Sequence, residues 1–310
     1  MTEVIIGVDV SKDSLDAHRL PDQADRRFDN TKAGVRAFLV WAGAAGRIVF
    51  EPTGPYHRLF ESACAKAGLA LCKVNPKNAR RFAEAIGVLA KTDRVDAAML
   101  ARMGRLDDLP SRPVADDALY ALRELMGARR ALIKERTRIK NREKNLTLPL
   151  LKNQHRTRLD RIKKDLAAID AAIRAAIAEN PVIARRFEIL VSIPGVAEQT
   201  AFAFLIDMPE LGTIEGKQAA ALAGLAPKTR QSGQWRGRAA IGGGRKNLRD
   251  AIFMPALVAT RFNDDLKLKY DHLIATGKPA KLALTAIMRK LVVLANALIR
   301  DDRTWSPKIA

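Results

Sequence analysis

Asp93 and Asp96 stand three residues apart in AKTDRVDAAMLA (90–101), a stretch whose apolar spacing predicts a helix. Residues three apart on a helix are neighbours, so two carboxylates there repel and need a compensating charge. Two further acids end strand-like runs, Asp9 in VIIGVDV (4–10) and Glu51 in GRIVFE (46–51). Taken singly, each acid is most often a cap or surface decoration; the set carries the argument. Gathered in one place, the four would raise at least one pKa, because close carboxylates cannot all ionise cheaply. A divalent cation removes that conflict. Mg²⁺, with Mn²⁺ as the alternative, takes hard oxygen ligands and can assist the attacking and leaving oxygens of a phosphodiester.

These acids need elements to carry them. Val4 to Val10, Gly46 to Glu51 and Leu69 to Val74 are short apolar runs with β-branched residues and read as strands. Between them Ala33 to Ala42 and Tyr56 to Ala67 have helical spacing, so an α/β domain is expected over residues 1–115. Two strand ends followed by an acid-bearing helix is the order of a ribonuclease H-like nuclease. The proline- and acid-rich DDLPSRPVADD (107–117) breaks the chain.

Leu119 to Leu146 and Arg156 to Ala178 nearly lack helix breakers; joined through LTLPLLKNQH, they would form an antiparallel coiled-coil arm over residues 116–180. Arg123 to Lys144 holds nine Lys or Arg against three Glu, which makes Arg129, Arg130, Lys134 and Arg138 candidates for contacting a phosphate backbone. A solvated dimerisation helix is the equally weighted alternative. Residues 181–310 read as mainly helical, with helices at 217–225, 248–260, 265–275 and 280–299. LVSIPGVAEQTAFAFLIDMPEL (190–211) has the order of a helix-hairpin-helix whose Gly195 turn would offer backbone N–H groups to a phosphate, although Pro-Gly is also an ordinary turn. KTRQSGQWRGRAAIGGGRKN (228–247) reads as a Gly- and Arg-rich loop.

The chain has 310 residues, 54 Lys or Arg against 34 Asp or Glu, and a net charge of +20, an imbalance that suits a polyanionic partner such as nucleic acid. The two cysteines, Cys64 and Cys72, are too few for a disulfide framework or a zinc site and fit a reducing compartment. No apolar run approaches the length of a membrane span, and MTEVIIGVDVSK lacks the features of a signal peptide. A soluble cytoplasmic protein with no membrane partner is therefore expected.

GVDVSKDSLD, FEPTGPYH, VNPKNARRFAEAIGVLAKTDRVDAAMLA, SIPGVAEQTA and SGQWRGRAAIGGGRKNLRDAIFMPALVA follow one another along the chain. As an ordered set they resemble the DEDD-type transposases of bacterial insertion sequences, relatives of the Piv DNA invertases. That resemblance implies an α/β RuvC-like N-terminal domain, a coiled-coil linker and a mainly α C-terminal transposase domain. It puts the family's metal-binding acids on Asp9, Glu51, Asp93 and Asp96, and its nucleophilic serine on Ser232. It also implies a dimer or tetramer in which the domains of different subunits meet, and a structured noncoding RNA that selects donor and target DNA by base pairing, the protein reading backbone and shape.

Relatives often carry a longer stretch after the Ser-Gly pair, where this chain has Trp235 and GGGR. Arg236, Arg238, Arg245 and Lys246 are candidates for phosphates near a scissile bond, and Gly242 to Gly244 would let backbone approach. Trp235 would either stack on a base or anchor the loop. Lys12 and Lys91 would touch phosphate or screen the acids, and His57 follows the EPTGPY block without a clear ligand role. Two rival readings remain: a junction-resolving nuclease that uses water, and a non-catalytic nucleic-acid scaffold.

Overall fold

The computed structural model describes residues 3–52, 54–88, 92–106, 109, 117–229, 231–237 and 239–307. It divides into two compact units, Met1–Asp116 and Asp117–Ala310.

The first unit is built on a mixed sheet. Strands β1 (Ile5–Val10), β2 (Ser14–Leu20), β3 (Ala24–Asp29), β4 (Arg47–Phe50) and β5 (Leu71–Lys73) lie in the order β3-β2-β1-β4-β5. The first three are antiparallel neighbours, and β4 and β5 add in parallel. Successive side chains of a strand point to opposite faces. Ile6, Val8 and Val10 therefore join one core with Phe38 of α1 (Lys32–Ala42) and Phe60 of α2 (Arg58–Lys66), whose rings meet edge-to-face at 5.0 Å. Ile5, Gly7 and Asp9 face the other way. There Ile5, Val49 and Cys72 pack under α3 (Pro76–Ala85) and α4 (Asp93–Met103). This α/β architecture is compatible with the expected RuvC-like fold.

The sequence reading placed no strands at 14–29. SLDAHRL and ADRRFD mix apolar with charged residues and do not read as apolar runs; β2 pairs with β1, and β3 pairs with β2 alone.

In the second unit α5 (Asp117–Glu143) and α6 (Pro149–Ala178) pack side by side as a helical hairpin. Ile139, Ile162 and Leu166 form a small core along it, whereas Leu122, Met126, Ile173 and Ile177 join the main core of the unit. The link is shorter than LTLPLLKNQH suggested: Pro149 opens α6, since proline at the first turn loses no intrahelical bond. The remaining helices are α7 (Pro181–Val191), α8 (Glu198–Asp207), α9 (Gly216–Leu222), α10 (Lys246–Phe262), α11 (Asp264–Ala275) and α12 (Ala280–Arg300). The expected loop at 228–247 carries a two-stranded ribbon, β6 (Gln231–Ser232) against β7 (Trp235–Arg236).

Among the described residues α12 is long and apolar enough by composition to cross a membrane. Ala283, Ile287, Leu291, Ala295 and Leu298 are nevertheless fully buried against other helices of the unit, which is how the central helix of a helical core reaches such hydropathy.

Candidate active site

The acidic cluster is assembled by the register of the sheet and one close helix–strand contact. Val8 pairs with Phe50 across β1 and β4, so Asp9 and Glu51 are the next residues along two adjacent parallel strands. At Gly7 a Cβ would stand 2.1 Å from the carbonyl oxygen of Ala97 and 2.3 Å from the nitrogen of Ala101. A Cβ at Gly104 would stand 2.5 Å from the Ile5 side chain. Helix α4 thus runs antiparallel to β1, with Ala97 to Ala101 over Gly7 and its C-terminal end at Ile5. Its first turn, bearing Asp93 and Asp96, is carried towards the Asp9 end of the strand.

Burial and then the charges of Asp93, Asp96, Glu51 and Asp16 push the Asp9 carboxyl up to about 6. Three of the acids singled out in the sequence, Glu51, Asp93 and Asp96, thus act electrostatically on the fourth, Asp9. Asp16 is a fifth that the sequence reading missed: it is the cross-strand partner of Asp9 on β2, and only the alternation of SLDAHRL could have signalled it. Part of the repulsion within the helical pair is met locally, because carboxylates in a first turn face the positive end of the helix dipole. The Thr92 hydroxyl caps that turn by accepting from the Val95 N–H at 3.3 Å. Thr92→Ala is expected to cost about 1 kcal/mol, read as a shift in the urea midpoint.

The donor set fits a hard divalent cation in kind, and such a cation would neutralise the neighbouring charges that, after burial, raise the Asp9 carboxyl. Among the described residues no group of three or more acids, histidines or cysteines is placed to hold a metal ion.

Arginines flank the cluster on the β2–β3 side. Arg94 pairs with Asp25 at 2.6 Å and Arg27 approaches Asp16 at 3.8 Å. His57 is engaged elsewhere: its Nε2 is 3.5 Å from the buried Glu61, which also holds Lys73 at 2.6 Å, and burial and Lys73 lower the imidazole pKa. Lys12 is exposed in the β1–β2 turn, and Lys91 lies outside the described residues.

In the second unit the candidates separate by environment. Arg129 is held at 2.6 Å by Asp170 of α6, each side chain 16% exposed, so it fastens the hairpin and is not offered to phosphate. Lys134 and Arg138 are exposed on α5. Gly195 has φ +96° and lies so close to α10 that a Cβ would stand 2.9 Å from the Pro255 carbonyl oxygen. Packing thus accounts for that glycine without a phosphate. Gly244 likewise packs on Gly224, whereas Gly242 faces open space.

Ser232 and Trp235 face each other across the exposed ribbon, beside the turn at Gly233, and Arg236 follows on the same strand. Trp235 is 60% exposed and so does not anchor the loop in a core. Arg238 lies outside the described residues. Arg130 pairs with Asp207, Arg245 grips Glu210 through two bonds of 2.6 Å, and Lys246 pairs with Asp250.

Comparison with known families bears on both units. A model for the DEDD transposase of IS110 matches residues 6–149, and one described as "Transposase IS116/IS110/IS902 family" matches residues 187–271. The chain belongs to the IS110 transposase family. Relatives span its length: it is 28% identical to the "Pilin gene-inverting protein" of Moraxella bovis, covering 100% of this chain and 99% of that one, with the same figures for the protein of that name in Moraxella lacunata. The "Insertion element IS110 uncharacterized 43.6 kDa protein" of Streptomyces coelicolor is 30% identical over 49% of this chain and 37% of its own. Membership of this transposase family implies cleavage and rejoining of DNA, and DNA as a partner.

Proposed function

We propose that this IS110 transposase is an RNA-guided DNA recombinase that moves a bacterial insertion sequence, working in the cytoplasm at the nucleoid. The observation that carries the reading is that Glu51, Asp93 and Asp96 all bear on the partly buried Asp9 within one α/β unit, Asp9 and Glu51 following paired residues of adjacent parallel strands. These residues would hold Mg²⁺, or Mn²⁺, which when bound supplies Lewis-acid stabilisation of charge developing on the phosphate.

Ser232 is the proposed nucleophile. Its Oγ forms a bond to phosphorus as the bond to a deoxyribose oxygen breaks; the hydroxyl proton is lost and the leaving oxygen gains one. The phosphodiester's energy is kept in a phosphoserine link, and attack by the hydroxyl of a second strand reverses the step and reseals DNA without ATP. An exposed ribbon tip suits a residue that must reach into a bound duplex. The α5–α6 hairpin would act as a coiled-coil arm that pairs subunits, so that Ser232 of one protomer serves the acids of its partner in a dimer or tetramer. The +20 charge fits the load of a structured guide RNA together with donor and target duplexes.

Ser232→Ala is expected to abolish the covalent protein–DNA adduct trapped by denaturing gel from a cleavage reaction. Undiminished cutting by that variant would replace the recombinase with a water-using nuclease. Sequencing of nucleic acid that copurifies with the protein should return one discrete noncoding RNA, and its absence would remove guidance from the reading.

A further inference from the structure

Outside the acidic cluster, the second unit holds a cavity of about 380 Å³ lined by Arg123 and Arg130 from α5, Asp207 from α8, and Arg245 and Lys246 at the start of α10. Residues from three helices, separated in sequence by as much as 123 positions, bring four cations to one opening. Arg130 and Arg245 are half-buried and each is braced by a carboxylate, Asp207 and Glu210, which fixes the direction of the guanidinium. Arg123 lies over the Tyr120 ring at 5.7 Å and has no carboxylate partner among the described residues. The cavity is polar and open; Arg130, Arg245 and Lys246 are paired with Asp207, Glu210 and Asp250, which leaves the Arg123 guanidinium as its unpaired cation among the described residues, a planar fork suited to phosphate oxygens.

We infer that this cavity is a docking subsite for a backbone phosphate of nucleic acid, with Arg123 as its directly available donor and Lys246, whose exposed side chain now pairs with Asp250, exchanging that carboxylate for the phosphate. Arg130 and Arg245 are positioning residues, held by Asp207 and Glu210. Further along α5 the exposed Lys134 and Arg138 continue the cationic surface, so a strand seated in the cavity has a basic path to follow. The inference rests on the recombinase reading only in taking nucleic acid as the partner. Duplex DNA and RNA present the same phosphodiester, and the test separates them.

The full-length chain is titrated with a labelled DNA duplex and, separately, with an RNA hairpin of equal charge, across a series of salt concentrations. Arg123→Ala with Lys246→Ala is expected to weaken binding of the preferred polymer about tenfold or more, and to reduce the slope of log affinity against log salt by about 1 to 2. Lys217→Ala, which removes a charge from the exposed start of α9, should change the slope by less than half as much. Lys246→Glu, at an exposed helix start, gives the same readout should the double variant fold poorly. Retention of wild-type slopes with both polymers, or an equal loss in Lys217→Ala, would overturn the subsite. If the wild-type chain bound neither polymer, the recombinase reading would fall as well.

Discussion

Asp9→Asn is expected to lower DNA cleavage by at least about 10³-fold while making the metal-free protein more stable. The two effects have one cause. Asp9 stands where burial and four other carboxylates press on it, so its pKa rises from 3.8 to about 6 on folding. An acid raised in this way releases its proton more readily from the unfolded chain. Below about pH 4 both states hold the proton and nothing is lost. Between about pH 4 and 6 the penalty grows, and above 6 it is complete. At 1.36 kcal/mol per pKa unit the ceiling is about 3 kcal/mol, and screening at a half-exposed side chain brings the expected gain for asparagine to about 1 to 2 kcal/mol at pH 7.5. Asparagine keeps the shape and removes the charge. Urea melts of both proteins at pH 4 and pH 7.5 measure the gain, which should vanish at the lower pH. Millimolar Mg²⁺ should raise the Tm of the wild type and leave Asp9→Asn nearly unmoved. A variant less stable than wild type at pH 7.5 would mean that the carboxylate is held by favourable contacts, and the cluster would lose its standing as a cation site.

How much of this was legible before the fold was known depends on where each partner lies in the chain. The strands β1, β4 and β5 announce themselves as apolar runs because both of their faces are covered, and the order of Asp9, Glu51 and the Asp93–Asp96 pair follows from them. Strand β3 is an edge strand with one buried residue, Phe28, and its arginines read as loop. With β2 and β3 unread, Asp16 could not be seen as the neighbour of Asp9. Arg129 looked like any other cation of a basic helix because the residue that captures it, Asp170, lies 41 positions away. Gly195 and Gly244 read as glycines that make way for a phosphate or a nucleic-acid backbone, yet each is set by another stretch of this chain's own backbone passing close by. Ser232 is a candidate only through the family resemblance: nothing in QSGQW distinguishes a nucleophile from a tight turn, and the ribbon has the geometry of such a turn.

Gly7 gives the other large effect. It is the central residue on the α4 side of β1, flanked by hydrogen-bonded strands on both edges, so β1 cannot shift sideways. The atoms a methyl would strike, the Ala97 oxygen at 2.1 Å and the Ala101 nitrogen at 2.3 Å, are main chain and cannot rotate away. Only lifting α4 makes room, and that separates Leu100 and Met103 from Ile5 and Val49 and draws the Asp93–Asp96 turn away from Asp9. Gly7→Ala is therefore expected to cost more than about 3 kcal/mol, at the top of the range for overpacked cores, and Gly7→Val to leave the first unit unfolded at 37 °C. Both should abolish cleavage although no carboxylate is changed. Gly127→Ala supplies the opposite sign. That glycine is in the middle of α5 with nothing within 4 Å of its would-be Cβ, so alanine should stabilise the second unit by about 0.5 to 1 kcal/mol. Limited proteolysis locates each effect, with new cuts confined to residues 1–116 in the Gly7 variants. A Gly7→Ala protein that melted with the wild type would show that α4 does not ride on β1 at this distance, and the convergence of its two aspartates on Asp9 would have to be abandoned.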